Sequence, residues 1–391
     1  MAQSISQEAI GATGLPGATA ASRHAGATTS GAPTTGTFAV GDYVVDQTGA
    51  MYVCTVAGTP GTWQLSGVSV NENIAGKNFV INGGMDIWQR GTSFSNVSNG
   101  TYTADRWVTV PGTTSAYTVS QTTSGLTGYN YALRFQRNSG VTNTNDTNIF
   151  SAFETSNSLP LAGQTVTYSY WARAGSNFSA SGNILKPSVQ TGTGTDQAAN
   201  GGWTGQTTAG SANNTLTTSW QKFSFSFSIA STATQVRVLF SYTPTGTAGA
   251  NDYYDITGVQ LEIAPQATPF SRAGGSIGGE LALCQRYYQQ PVSTASYQIF
   301  GVGTMYSATS LTCLIPLIVQ MRIAPSVTFS ANSNWNIQQA GGFAVTSLSA
   351  FTVTPTAINA SVNTSISLLS GGGGILISNG SGAAIYITAE L

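Results

Sequence analysis

The sequence offers few side chains that could serve as a nucleophile, a general base or a metal ligand. Its single histidine, His24, lies in an N-terminal stretch rich in Gly, Ala and Thr. A Ser–His–Asp or Cys–His site would need its base from this anchor-like segment, and a zinc site is excluded on similar grounds. The three cysteines, Cys54, Cys284 and Cys313, follow no metal-ligand or disulfide spacing, so we expect buried free thiols.

The fourteen acidic residues leave one further catalytic option, which is the cleavage of a glycan by a pair of carboxylates. Asp252 and Asp255 are close in sequence, but residues three apart on one strand point to opposite faces of a sheet. A polysaccharide depolymerase is therefore the least favoured hypothesis. We predict that the protein is not an enzyme.

Charged residues make up only 7% of the 391 residues, against ~25% in typical globular proteins. The chain is nevertheless 41% hydrophobic and 10% aromatic, which is unlike a disordered sequence. Thr, Ser, Asn, Gly and Gln take the place of the missing charges, and these residues are typical of turns and of strands with one wet face. The composition predicts an all-β fold.

The charge deficit is greatest toward the end of the sequence, where Arg322 is the only charged residue between Arg286 and Glu390. Because a free surface of this kind would self-associate, we expect its apolar part to be covered by copies of the same chain. The net charge of −1 gives no electrostatic footprint for nucleic acid or an anionic membrane. No segment reads as a signal peptide or a bilayer span, so we expect synthesis in a cytosol and no membrane insertion.

Changes in pattern along the chain predict four parts. They are an extended segment (1–36), a small β module (37–68), a central β-sandwich (69–276) and a short helix followed by a C-terminal β domain (277–391). The small module contains two β-rich runs joined by the turn Asp46-Gln-Thr-Gly49. In the sandwich, strict alternation places Phe223, Phe225 and Phe227 on one face of a half-buried strand.

Five motifs stand out as a set. They are Asn82-Gly-Gly-Met-Asp86-Ile-Trp88-Gln-Arg90, Tyr102-Thr-Ala-Asp105-Arg106-Trp107, Gln260-Leu-Glu262-Ile-Ala-Pro-Gln-Ala-Thr-Pro269-Phe270, Glu280-Leu-Ala-Leu-Cys-Gln-Arg-Tyr-Tyr288 and Ala384-Ile-Tyr-Ile-Thr-Ala-Glu-Leu391. The first two resemble the opening of a jelly-roll domain in bacteriophage tail-fibre and appendage proteins, and the third resembles its closing strand. The last two resemble the helix that follows the domain and the final strand. The segment Gly36–Gly49 resembles small modules of phage structural proteins. Together the matches span roughly residues 30–391.

The resemblance implies a virion protein, either a tail fibre or another surface appendage. It implies a carbohydrate-binding-like jelly roll, a homotrimer and a role in attachment to a host-surface glycan. The extended segment 1–36 would then dock onto other virion proteins, and three weak sites on one rigid body would give strong attachment through their effective concentration. The alternative is a purely architectural virion protein, such as a head fibre or an adaptor, that does not bind the receptor.

Glycan recognition needs exposed aromatic faces with amide or hydroxyl partners, and the loop Asn200-Gly-Gly-Trp203 is the best candidate. Core packing is expected of the tryptophans in or beside strands, which are Trp88, Trp107, Trp171 and Trp220. No cofactor is expected other than a possible structural calcium, held as in related jelly rolls by Asp86 and Asp255. The favoured alternative is that these two carboxylates cap turns or pair with arginines.

Overall fold

The computed structural model describes residues 23–47, 49–66 and 74–391, which belong to two compact units, Met1–Glu72 and Asn73–Leu391. Strands dominate both units, and the two α-helices among the described residues are short (α1, Thr155–Ser158; α2, Ile277–Gln285). Neither helix has the length and hydropathy of a membrane-spanning segment. The predicted all-β fold is confirmed. Most of the predicted anchoring segment, residues 1–22, lies outside the described residues.

The N-terminal unit is a three-stranded antiparallel sheet of β1 (Tyr43–Val45), β2 (Met51–Val56) and β3 (Thr62–Leu65), paired in chain order. Asp46 holds the turn between β1 and β2, because its carboxylate accepts the backbone N–H groups of Gly31 and Ala50, both at 2.9 Å. Arg23 pairs with Asp42 at 2.7 Å, and its hydrogen bond lowers the pKa of that carboxyl group. β1 and β2 correspond to the two β-rich runs that the sequence predicted.

Thirteen strands form the central sandwich. They are β4 (Ser93–Phe94), β5 (Thr101–Tyr102), β6 (Val108–Val110), β7 (Tyr117–Thr123), β8 (Tyr131–Arg137), β9 (Thr147–Ala152), β10 (Thr165–Ala174), β11 (Ile184–Gly192), β12 (Thr207–Ser211), β13 (Asn214–Thr215), β14 (Gln221–Ser228), β15 (Gln235–Tyr242) and β16 (Tyr253–Glu262). Six pair in the order β14-β10-β16-β8-β7-β4, and the others pair as β12-β11-β15-β9-β6-β5 with β13 beside β11. Strands β8 to β11 alternate between the two antiparallel sheets, which is jelly-roll connectivity. The predicted central jelly-roll sandwich is confirmed.

The side chains that point inward from the two sheets form an aromatic core. Tyr168 and Tyr170 of β10 lie against Phe240 of β15, with ring centroids 5.8 and 4.8 Å apart. The alternating phenylalanines of β14 pack on this core, as their spacing predicted. Each large side chain buried in this way contributes about 1.5–3 kcal/mol, so the core fixes which face of every strand points to solvent.

The C-terminal part begins with α2, whose N-terminus is capped by the Ser276 hydroxyl accepting from the Gly279 N–H at 3.1 Å. Ten strands follow: β17 (Tyr288–Gln289), β18 (Ile299–Ser307), β19 (Ser310–Pro316), β20 (Ser326–Phe329), β21 (Trp335–Gln338), β22 (Gly342–Ala344), β23 (Ser347–Val353), β24 (Ala357–Asn363), β25 (Gly373–Ser378) and β26 (Ile385–Thr388). A three-stranded sheet has the order β17-β26-β20, and a seven-stranded sheet has the order β22-β21-β25-β18-β19-β24-β23. These strands enclose a core of their own around Trp335.

Candidate functional site

Trp203 lies in a loop, as predicted, but its ring is only 6% exposed. Its Nε1 donates to the carbonyl of Ala198 at 3.0 Å, and the Arg237 guanidinium lies over the ring, 4.5 Å from its centroid. Asn200 is half-buried and donates to the side chain of Asn99 at 3.0 Å. The exposed aromatic face that we expected at Trp203 is therefore not present, because protein groups already cover it.

Trp203 belongs to the long connection between β11 and β12, and Arg237 explains why this connection packs against the sandwich. It lies between the rings of Phe150 and Trp203, 4.5 Å from each centroid. Its Nη1 donates to the carbonyls of Ala199 and Gly201 at 2.7 and 2.8 Å. Desolvation by burial lowers the pKa of Arg237 to about 10, so the group is still a cation at neutral pH. The buried cation holds the loop through its carbonyls.

Replacing Trp203 with alanine should act on stability. Removal of a buried tryptophan leaves a cavity beside Arg237, and we expect the free energy of unfolding to fall by about 3–5 kcal/mol. Urea denaturation measures this change. The control is Trp171→Ala, which removes a half-buried ring from a sheet surface and should cost less than half as much. Equal losses in the two variants would contradict the burial of Trp203.

Asp86 and Asp255, the predicted calcium ligands, both have arginine partners. Asp86 accepts from Nε and Nη2 of Arg272 at 3.1 and 2.8 Å. Asp255 accepts from Arg134 and from Arg173. Residues 23–47, 49–66 and 74–391 contain no group of three or more His, Cys, Asp or Glu side chains arranged to hold a metal. The arginine pairing matches the alternative that the sequence favoured, and calcium at these residues stays a prediction.

The six-stranded sheet carries a charged cluster on its outer face. Asp255 stands directly opposite Arg173 on one neighbouring strand and opposite Arg134 on the other. All three point outward, because the residues next to them, such as Tyr254 and Phe135, lie in the core. Arg134 donates to both oxygens of Asp255, from Nε at 2.8 Å and from Nη2 at 3.0 Å, and Arg173 donates from Nε at 2.8 Å. Asp255 is fully buried beneath these two guanidinium groups.

Aromatic rings fix the two arginines of this cluster. The Arg134 guanidinium lies over the ring of Tyr253 at 3.6 Å from its centroid, and that of Arg173 lies over the ring of Trp220 at 4.7 Å. Trp171, two residues from Arg173 on β10, points outward on the same face and is half-buried. We call these outward side chains the Asp255 face: Arg134, Trp171, Arg173, Trp220, Tyr253 and Asp255.

The connection between β7 and β8 crosses this side of the sheet. The Trp220 Nε1 donates to the carbonyl of Ser124 at 2.9 Å. Tyr129 lies on Gly258 of β16, where an added Cβ would come within 2.7 Å of the tyrosine ring. Burial raises the pKa of the Tyr129 hydroxyl, against the opposing effect of a hydrogen bond from Trp171. This connection bounds the Asp255 face on one side.

Sequence reasoning assigned Trp171 to the core, and the structure places it on the outer face instead. The signal was present in the alternation of β10, because Trp171 shares its parity with Ser169 and Arg173, whereas Tyr168 and Tyr170 point inward. The sequence could not predict the charged cluster, since Arg134, Arg173 and Asp255 come from strands far apart in sequence.

The outer face of the seven-stranded C-terminal sheet is apolar at its centre and has no charge. Val302 stands opposite Leu314 on one side and Ile375 on the other, and the next residue along the row is Asn359. Tyr306, farther along β18, is 84% exposed. We call these outward residues, with their polar neighbours, the neutral face: Val302, Thr304, Tyr306, Thr312, Leu314, Asn359, Ser361 and Ile375.

Comparison with known proteins gives structural neighbours only. No protein-family model matches the chain, and no curated protein matches it in sequence. Among solved structures, a family 4 carbohydrate-binding module matches with a TM-score of 0.30 and 18% identity, over 51% of this chain and 100% of the module. The CBM22-1 xylan-binding domain of Paenibacillus barcinonensis Xyn10C matches with a TM-score of 0.29 and 15% identity, over 49% of this chain and 98% of that domain.

A third neighbour is the enzymatically active domain of tailspike protein 4 from bacteriophage CBA120, with a TM-score of 0.29 and 11% identity. That match covers 44% of this chain and 21% of the tailspike chain. At these identities and TM-scores the neighbours' ligands carry nothing over to this protein. Its own residues must support any functional proposal.

The charged residues of the C-terminal part all contact the sandwich. Residues 277–391, which are described throughout, contain four: Glu280, Arg286, Arg322 and Glu390. Arg286 pairs with Glu154 at 2.9 Å, Arg322 pairs with Asp196 at 3.4 Å, and Glu390 pairs with Arg90 and Arg106. Glu280 accepts from the backbone N–H of Gly274 at 2.7 Å and from that of Asn82. The neutral face has no ionic group because every one of them is used at this internal interface.

Proposed function

We propose that this chain is a subunit of a bacteriophage surface appendage that attaches the particle to a glycan on the host surface. The jelly roll binds the glycan at the Asp255 face, and the C-terminal part joins three copies through their neutral faces. The virion location follows from the motif resemblance described above. It is a protein that binds and does not catalyse, so its effect on attachment depends on affinity and on the number of linked sites.

The observation that carries glycan binding is the make-up of the Asp255 face. A pyranose ring has an apolar face that stacks on aromatic rings and hydroxyl groups that need fixed donors and acceptors. The half-buried Trp171 offers part of its ring to solvent, and the guanidinium groups of Arg134 and Arg173 are held in place by Asp255. Preorganised donors beside an aromatic ring lower the ordering cost of binding. This arrangement favours a sugar over a purely apolar ligand.

The neutral face supports self-association. Exposed apolar side chains with no nearby charge, among them Val302 at 57% and Leu314 at 47%, tend to be buried against another surface. A surface without charge is complementary to an identical one, since no desolvated ion is left unpaired on either side. Three sheets with this face turned toward a common axis form a closed prism with threefold symmetry. We therefore propose that further copies of this chain cover the neutral face.

Trp171→Ala tests the glycan site. The variant removes the ring that would stack on the sugar, and we expect binding of the purified protein to host cells to fall at least about tenfold. Flow cytometry of fluorescently labelled protein on cells measures it. The matched control is Tyr297→Ala, which removes an aromatic ring that is 68% exposed outside the Asp255 face and should leave binding unchanged.

Two outcomes would contradict this proposal. Binding that survives periodate oxidation of the cell-surface sugars would show that the receptor is not a glycan. Wild-type protein that fails to bind cells, while an antibody places it on the intact particle, would instead support the architectural alternative.

A further inference from the structure

We infer that the Asp255 face recognises an acidic sugar through its carboxylate group. This inference rests on the proposed glycan binding and names the class of sugar. Arg134 and Arg173 share one carboxylate, so the cluster retains one positive charge. Lys222 of β14 stands opposite Trp171 and is exposed, which adds a second positive charge on the same side of the sheet. The face is thus cationic on a chain whose net charge is −1.

Asp252, which precedes β16, is paired with Arg137 at 3.4 Å and so does not cancel this charge. The strands of the six-stranded sheet contain one other acidic residue, Glu262, at the far end of β16. Seven residues of strand separate it from Asp255, which corresponds to roughly 23 Å. Glu262 is buried and accepts from Gln260 at 2.8 Å and from the backbone N–H of Thr268 at 2.9 Å. At physiological ionic strength this separation is well above the Debye length of ~8 Å, so the charge of Glu262 has little effect on the cluster.

The free donors of the cluster have the geometry that a carboxylate needs. Arg173 uses only Nε to bind Asp255, and among the described residues its two Nη groups have no acceptor. Its plane is fixed by the Trp220 ring, as that of Arg134 is by Tyr253. A fixed, planar guanidinium edge matches the two oxygens of a planar carboxylate. Trp171 lies two residues from Arg173 on the same face. A pyranose ring that carries a carboxylate can therefore stack on Trp171 while its carboxylate pairs with Arg173.

Tryptophan fluorescence tests the inference, because Trp171 and Trp220 both belong to the face. The protein is titrated with D-glucuronate and with its methyl ester, which keeps the sugar and removes the charge. We expect glucuronate to bind about tenfold more tightly than the ester, and its affinity to fall as NaCl is raised. Equal binding of the two ligands, or no binding of glucuronate, overturns the inference. Glycan binding itself is judged separately by the cell assay, so the two failures are distinguishable.

Charge-removing variants identify the donors. Arg173→Gln should weaken glucuronate binding about tenfold, and Lys222→Gln, which alters only an exposed side chain, should weaken it about twofold to fourfold. The control is Lys186→Gln, which removes an exposed positive charge from the other sheet and should change nothing. If Arg173→Gln does not fold, Lys222→Gln still decides the result. Unchanged affinity in Lys222→Gln and in any folded Arg173→Gln protein overturns the inference.

Discussion

Leu314→Glu should convert the protein from a trimer to a monomer. In the proposed trimer the three Leu314 side chains are turned toward one axis, so each glutamate would be desolvated near two like charges with no cation on the neutral face to pair with it. The penalty of several kcal/mol per buried ion opposes assembly of the trimer. Light scattering coupled to gel filtration should show a mass near 40.3 kDa, against about three times that mass for the wild type.

Ile263→Glu is the matched control for this change. Ile263 follows β16 in the sandwich and is 46% exposed, against 47% for Leu314, so the two variants place the same charge at sites of equal exposure. We expect Ile263→Glu to remain trimeric, because only the position on the neutral face should matter. A wild-type chain that is monomeric in solution, with its neutral face exposed to solvent, would contradict the proposed trimer.

The sequence predicted strands best where apolar and polar residues alternate strictly. β15 places the alternating residues Val236, Val238 and Phe240 in the core, and β14 places its phenylalanines against it as expected. By contrast, β7, β9 and β11 escaped prediction because Thr, Ser, Gln and Asn interrupt their apolar period. Period-two patterns are visible only when one face is consistently apolar.

The apolar run Phe79-Val-Ile81 is typical of a short strand, but the structure has no strand there, for a local reason. The side chain of Asn78 takes the place of a strand partner: its Oδ1 accepts from the N–H groups of Val80 and Leu261, and its Nδ2 donates to the carbonyls of Val259 and Ser271. Side-chain amides compete with backbone pairing in this way. The segment lies beside β16 without forming a ladder.

The candidate site was less predictable than the fold. Loop position suggested Trp203, yet a loop residue is accessible only when nothing packs on it, and the buried Arg237 supplies that packing. The Asp255 face depends on three strands that pair across 121 and 82 residues of sequence. Such pairings follow from sheet topology, which brings together residues far apart in sequence and is not contained in the pattern of any single strand.

Glu390 joins the C-terminal part to the sandwich through two arginines. Its carboxylate pairs with Arg90 at 3.0 Å and with Arg106, whose side chain is 2% exposed. Arg106 also donates to the carbonyl of Ala152 at 2.6 Å and lies over the Tyr287 ring, 3.5 Å from its centroid. A guanidinium so deeply buried is tolerated only with its anion in place.

Glu390→Gln should therefore lower the free energy of unfolding by about 3–5 kcal/mol, because it keeps the shape of the side chain but leaves Arg106 buried without a counter-charge. Asp196→Asn is the control within the same interface: Asp196 is 34% exposed, its contact with Arg322 is 3.4 Å long, and Arg322 keeps the carbonyls of Ala389 and Glu390 as acceptors, so the loss should be less than half as large. Urea unfolding followed by tryptophan fluorescence gives both values. A loss below 1 kcal/mol in Glu390→Gln would mean that the apolar contacts around Tyr287, not the ion pairs, hold the C-terminal part to the sandwich.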